Sequence, residues 1–129
     1  MDSFTISATI PANPKELYQA WLSSEGHSQM TGSKAQVQEG SGGEFTAWDG
    51  YISGKTLKTE PNHRIVQAWR TTEFPENDAD SRLEIVLEKV PEGTEVTLIH
   101  KYMPEGQGEN YKKGWEEFYF TPMRAFFGK

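Results

Sequence analysis

The sequence predicts an α+β fold: a curved antiparallel sheet of about six to seven strands wrapped on one long C-terminal helix. Three observations carry this. Residues 114–127 form the most aromatic run in the chain, with Trp115, Phe118, Pro122 and Phe126 at steps of three or four and Tyr111 and Tyr119 widening the stripe, which is the periodicity of one helical face. Between residues 34 and 102 the period is two, interrupted by Gly, Pro, Asn and Asp, the pattern of a meander. A short helical stretch separates the first strand from that meander. A wide aromatic stripe needs an apolar partner, since each buried aromatic contributes about 1.5–3 kcal/mol, and the sheet is the only partner large enough.

Ser3 to Ile10 alternates Phe4, Ile6 and Ala8 with Thr5, Ser7 and Thr9 and reads as a strand that Pro11 ends. Asn13-Pro14 opens a helix, with Asn13 as N-cap, Pro14 at the first helical position and Glu16 placed for a capping box. Leu17 with Trp21, and Tyr18 with Leu22, make its apolar face. Ser24 is placed to cap a second short turn reaching Met30, and Gly32 follows.

Lys34–Gln38 is a weak strand, Gly40-Ser41-Gly42-Gly43 a turn, and Glu44–Trp48 a strand. Asp49-Gly50 signals a tight hairpin. Tyr51–Lys58 is its partner, with Gly54 marking a bulge or sharp bend. After Pro61-Asn62, His63–Arg70 returns with Ile65 and Trp69 on one face and Val66 and Ala68 on the other. Thr71 to Ser81 is an acidic connection. Arg82–Lys89 points Leu83, Ile85 and Leu87 to one side. Thr94–Tyr102 places Val96, Leu98, His100 and Tyr102 on one face before a Pro104/Gly106/Gly108 loop leads to the last helix. An antiparallel sheet of this kind has one apolar and one wet face, and the arrangement is a helix-grip fold over a single domain, residues 1–129. Pro122 lies mid-stripe, where a missing N–H costs about 3 kcal/mol in an ordinary helix. The expectation is a kink there, with Met123 to Phe127 able to open independently.

Composition narrows function by exclusion. With 13 basic against 19 acidic residues and a formal net charge of -6, the chain lacks the basic footprint that phosphate binding requires, so neither nucleic acid nor an anionic membrane is an expected partner. There is no cysteine, which removes thiolate chemistry, disulfides and cysteine-type zinc sites. No apolar run approaches a membrane span and no leader pattern is visible, so the expected location is the cytoplasm.

The order and spacing of several strings resemble the START-like (SRPBCC) superfamily, and within it the C-terminal domain of activators of the heat-shock protein 90 ATPase. They are PKELYQAWL in the first helix, GGEF and DGYISGK in the hairpin, EPNHRIVQAWR in the next strand, FPE in the acidic connection and GWEEFYFTPMRAFFG at the end. The resemblance implies a helix-grip fold and a co-chaperone-like, stress-response role with a heat-shock protein 90 family chaperone as partner. For the superfamily it also implies a space between sheet and helix that holds apolar ligands or builds a catalytic site.

Alternation selects the residues that face that space. From the strands these are Trp69, Leu83, Ile85, Leu87, Leu98, His100 and Tyr102; from the helix, Trp115, Phe118 and Tyr119. They describe either a pocket with a few polar handles or a filled core. His100, inward beside Leu98 and Tyr102, is a candidate general base or ligand donor with Tyr102 or Tyr119, or a core histidine satisfied by a neighbour. His27 and His63 are expected in turns or strand ends. No H-x-x-x-H, H-E-x-x-H or G-x-S-x-G spacing exists, so no metal, cofactor or nucleophilic site is expected, and the chain reads as non-catalytic. Glu116-Glu117 read as solvated. Glu73, Phe74, Glu76, Asp78 and Asp80 combine negative charge with an exposed aromatic, either a solvated loop or a dock for a basic partner surface.

Overall fold

The computed structural model describes residues 1–128. β1 (Asp2–Ile10) is followed by α1 (Pro14–Trp21) and α2 (Ser24–Thr31), then by β2 (Gln36–Val37), β3 (Glu44–Ala47), β4 (Ile52–Glu60), β5 (Arg64–Thr71), β6 (Ser81–Val90) and β7 (Gly93–Met103). The chain ends in α3 (Gly108–Trp115), a five-residue π-helical segment (Glu116–Phe120) and α4 (Thr121–Phe127), which continue one another. The seven strands form one antiparallel sheet in the order β1-β7-β6-β5-β4-β3-β2. β1 therefore closes onto the end of the meander, and α1 and α2 bridge the sheet's two edge strands. This is the helix-grip arrangement.

The first helix forms where the sequence predicts it, for the predicted reasons. Asn13 accepts from the Glu16 amide at 2.8 Å and Glu16 reaches back to the Asn13 amide at 3.3 Å, which satisfies two of the helix's orphan donors. The second helix is capped by Ser23, not Ser24, through a 2.8 Å bond from the Gly26 amide, and closes on left-handed Gly32. Ser24 instead reaches across to Val37. The terminal helix is capped from far away. Asp2 in β1 accepts from the amides of Gly106 and Gly108 at 3.0 and 2.9 Å, which ties the first strand to the last helix.

Two irregularities shape the sheet. Gly54 is not a bulge: it stays in register between Phe45 and Trp69. It is glycine because a Cβ there would collide with the Ala68 carbonyl and stand 2.8 Å from the Phe45 ring. The β4 bulge falls two residues on, between Thr56 and Lys58. A second register shift lies between β1 and β7, where Phe4 pairs with His100 but Asp2 with Met103. Tyr102 sits in that bulge with φ +65°. Likewise Asp49-Gly50 does not make a two-residue hairpin. Ala47 pairs with Ile52, and the four-residue loop between them holds Trp48, Asp49 and Gly50 at φ +51°, +56° and +91°.

The terminal helix buries a stripe different from the predicted one. Tyr111, Trp115, Tyr119, Phe120 and Met123 are buried, whereas Phe118 is 47% exposed and Pro122 and Phe126 lie half-buried. The cause is the π-helical segment, in which Thr121 donates to Glu116, five residues back. That extra residue per turn rotates everything beyond it. It also lets Pro122 sit in the first turn of α4, where a missing N–H costs little. Met123 is fully buried, and Phe126 and Phe127 pack partly buried against the core while Arg124 and Ala125 face solvent, so the segment beyond Pro122 is anchored at one face and is not a free end.

Candidate functional site

Two polar-aromatic clusters and one cleft meet along the terminal helix. The first cluster surrounds His100. Ser81 donates its hydroxyl proton to the Trp69 carbonyl at 2.6 Å, so the hydroxyl must accept the 2.9 Å bond from His100 Nε2. The Trp115 indole donates to His100 Nδ1 at 3.1 Å. Every proton is thereby assigned and the imidazole is neutral. Burial holds its pKa at about 3, because desolvation disfavours the imidazolium. Trp69 packs edge-on at 4.6 Å and Phe4 at 5.5 Å. His100 is a satisfied core residue with no free lone pair to take a proton from a substrate.

The second cluster surrounds His27, which is not in a turn. It lies within α2, 3% exposed. Its Nδ1–H donates to the Trp21 carbonyl at 2.9 Å, and its Nε2 accepts from the Tyr119 hydroxyl at 2.7 Å. Burial lowers its pKa to about 4 and raises that of Tyr119. Trp21 stacks on both Trp115 and Tyr119. Local pattern offered no sign of this pairing, since its partners are 92 residues apart. The one available signal was a histidine on the Met30 side of a short amphipathic helix.

Beside these sealed clusters lies an open cleft of about 440 Å³ between the terminal helix and the β3–β4 hairpin end. Trp48, Tyr51 and Ile52 form one wall, Trp69 the floor, and the helix from Asn110 to Tyr119 the other wall. A hydrogen-bonded ring fixes its rim. The Glu73 amide donates to Thr71 Oγ1 (3.1 Å), which donates to the Tyr111 hydroxyl (2.6 Å). Tyr111 donates to Gln107 (2.6 Å), whose amide returns to the Glu73 carbonyl (3.0 Å). Tyr51 donates to the Glu73 carboxylate. Burial, reinforced by that carboxylate, raises the Tyr51 pKa, and burial raises that of Tyr111, so both phenols are neutral at pH 7. Trp48 Nε1 is buried without an acceptor among the described residues; a stranded donor costs about 1–3 kcal/mol.

Of the residues that alternation aimed at the interior, Trp69, Trp115, Phe118 and Tyr119 come together at this cleft. Leu83, Ile85, Leu98 and His100 are fully buried and Leu87 nearly so; they are core rather than lining. Tyr102 is a correction. It is 55% exposed, because the β7 bulge turns it outward and sends Met103 inward instead. Phe118 is a partial one: it lines the cleft but lies on the solvent side of the helix, edge-on to Trp48 at 5.2 Å. Trp48, Tyr51, Tyr111 and Gly114 were missed, since their convergence depends on the hairpin loop and the helix start meeting in space.

The acidic connection is also corrected at one residue. Phe74 is not exposed; it is 5% accessible and packs on Trp69 and Tyr111. Arg70 organises the loop, donating to the carbonyls of Asp78 and Pro75 and to the Asp80 carboxylate at 2.9 Å, and lying over the Phe74 ring. Glu73, Glu76 and Asp80 remain exposed and Asp78 partly so. Among the described residues no helix is long and apolar enough to cross a membrane.

Comparison with known proteins places this architecture. The family model "Activator of Hsp90 ATPase homolog 1-like protein" matches residues 11–128. Over 124 residues the chain is 28% identical to the human activator of 90 kDa heat shock protein ATPase homolog 1, covering 96% of this chain and 36% of that protein; it thus spans about a third of that relative's length. A crystal structure of an HSP90 activator from Plasmodium falciparum superposes with a TM-score of 0.85 at 26% identity, covering 98% of this chain and 96% of that one. CalU16 from Micromonospora echinospora shares the fold, with a TM-score of 0.80 at 24% identity over 97% of this chain and 75% of that one.

Proposed function

Because the chain belongs to the Activator of Hsp90 ATPase homolog 1-like family, we propose that it is a non-catalytic, co-chaperone-like module that docks on a heat-shock protein 90 family chaperone. The match of the family model to residues 11–128 carries this reading. The acidic connection supports it as the docking surface. Arg70 holds that loop in one shape by pairing with the Asp80 carboxylate, so Glu76 and Asp78 are presented at a reduced ordering cost on association. A basic partner surface is the complement, because opposite charge steers encounter. Titration of a purified chaperone of this family at low salt is expected to show binding in the range of about tens of micromolar or tighter. The double substitution Glu76→Lys with Asp78→Lys should weaken it and flatten its salt dependence. No binding at those concentrations would overturn the docking role. Stimulated ATP turnover is a separate readout in the same experiment.

A second reading has its own observation. The 440 Å³ cleft is within the size range of small-molecule sites, about 300–1,000 Å³, and supports a carrier or sensor of a small apolar ligand between sheet and terminal helix. A fluorescent apolar probe displaced by Gly114→Leu, with the fold intact by circular dichroism, tests it; a probe indifferent to that substitution binds elsewhere.

A further inference from the structure

We propose that the outer face of the β6–β7 hairpin pairs with a second copy of this chain, in a two-fold contact that sets Arg82 and Lys101 of each protomer against Glu88 and Glu95 of the other.

The register makes the charge pattern of this hairpin unfavourable in one chain alone. Arg82 lies directly opposite Lys101, and Glu88 directly opposite Glu95. Like charges in directly opposed positions destabilise an antiparallel pair. All four side chains are exposed, and none is in an ion pair among the described residues. Glu84 lies between the two pairs and feels both Arg82 and Lys101, but its carboxylate is bonded to Arg64 at 2.6 Å. One carboxylate thus faces three cations. Lys89, next to Glu88, alternates to the opposite face.

The same register makes the face complementary to itself. Leu83, Ile85, Leu98 and His100 turn inward to the core, so alternation turns the four charges outward together with Val86 and Ile99, which are only partly buried. The face therefore has an apolar centre with a cationic pair at one end and an anionic pair at the other. The two ends are about 20 Å apart along each strand. Ile85 pairs with Leu98 midway between them. A two-fold axis running across the hairpin at that midpoint, between two such faces, carries Arg82 over Glu88 and Lys101 over Glu95, and by symmetry the reverse. An axis along the strands would set like charge on like. A partner surface of one sign would answer only one end, whereas a second copy gives every one of the four charges an opposite.

Sedimentation of the unsubstituted chain in about 0.1 M salt is expected to show a monomer–dimer equilibrium below about 1 mM protein. At that ionic strength a Debye length of about 10 Å screens the net charges of two protomers from each other but not ion pairs in contact, and about 1 M salt should weaken the dimer about tenfold. Arg82→Glu with Lys101→Glu makes all four positions acidic, and Glu88→Lys with Glu95→Lys makes all four basic. Each variant alone should lose self-association. An equal mixture should recover it as a heterodimer, because every opposed pair is then of opposite sign. The Glu→Lys variant is less negative overall than the unsubstituted chain, whose net charge is -6, so its loss of self-association could not come from general repulsion. A monomer throughout, a dimer that both variants leave unchanged, or a mixture that stays monomeric would each overturn the proposal. The contact is also read without any substitution, so a variant that fails to fold does not spoil the test. In ¹⁵N-labelled protein the amides of Arg82, Glu88, Glu95 and Lys101 should shift as the protein is concentrated, while that of Gly114 stays in place. If those four move only when a chaperone is added, the face belongs to that partner and the two-fold contact falls.

Discussion

The two sides of the terminal helix use the same residue types to opposite ends. On one side, Trp21, His27, His100, Trp115 and Tyr119 meet rings to rings, and each polar atom traced among them has a partner: His100 between Ser81 and Trp115, His27 between the Trp21 carbonyl and Tyr119. On the other, Trp48, Tyr51, Tyr111 and Phe118 also gather, but they leave a 440 Å³ space, a glycine in the helix and an indole N–H without an acceptor. Aromatic content alone therefore does not separate a core from a site. The difference is whether the polar atoms close on each other: a satisfied network is rigid and costly to disturb, whereas an unsatisfied one leaves binding energy for something else.

The comparison is most severely tested at Trp115, which belongs to both sides. Trp115→Ala removes a buried indole and strands His100 Nδ1, so a loss of about 3–5 kcal/mol is expected, read as a large drop in the denaturant midpoint. A midpoint shift below about 1 kcal/mol would show that the sealed side is not a tightly packed core.

Acid should distinguish the two sides next. Both buried histidines have folded pKa values well below the ordinary 6.5, at about 4 and about 3. The unfolded chain then binds more protons as pH falls through 6.5, so stability is full above that value and declines toward the folded pKa values. Two such groups predict a loss of about 2–3 kcal/mol between pH 7 and pH 5.5. Urea unfolding at the two pH values measures it, and His27→Gln with His100→Gln should flatten the dependence even though the variant starts less stable. An unchanged slope in that variant would place the acid sensitivity elsewhere.

On the open side the effects should be smaller, and one should reverse sign. Gly114→Ala adds a Cβ whose nearest neighbour, the Phe118 ring, is 3.8 Å away, so the helix should gain about 0.5–1 kcal/mol, seen as a higher melting temperature. Destabilisation instead would mean that the cleft is tighter than it looks. Phe118→Ser removes a ring that is 47% exposed and should cost no more than about 1 kcal/mol by chemical unfolding. A cost like that of Trp115→Ala would make Phe118 part of the core.

How much of this was legible beforehand can be followed residue by residue. The capping box at Asn13 and Glu16, the alternation through Leu83, Ile85 and Leu87, and the docking of an aromatic C-terminal helix on the sheet all lie in local spacing, and each forms as the spacing implies. So does the inward direction of His100, although its partners could not be read from the sequence. Tyr102, Phe74, His27 and Phe118 departed from the simple pattern, for one common reason. Each is set by something local spacing does not carry: a one-residue bulge in β7 for Tyr102 and a π-helical turn at Phe118, a loop gathered by Arg70 around Phe74, and a second helix whose His27 closes on Tyr119.

What the sequence alone determined is therefore the class of fold, the order of its elements and most of the core, because period two and period 3.6 are properties of a few neighbouring residues and survive without knowledge of the rest. What only the tertiary structure decided is which aromatics seal the interior and which frame the cleft. That choice depends on register shifts of one residue and on hydrogen bonds between groups as far as 92 residues apart. A one-residue offset reverses the face a side chain takes on a strand and turns it by about a quarter-circle on a helix.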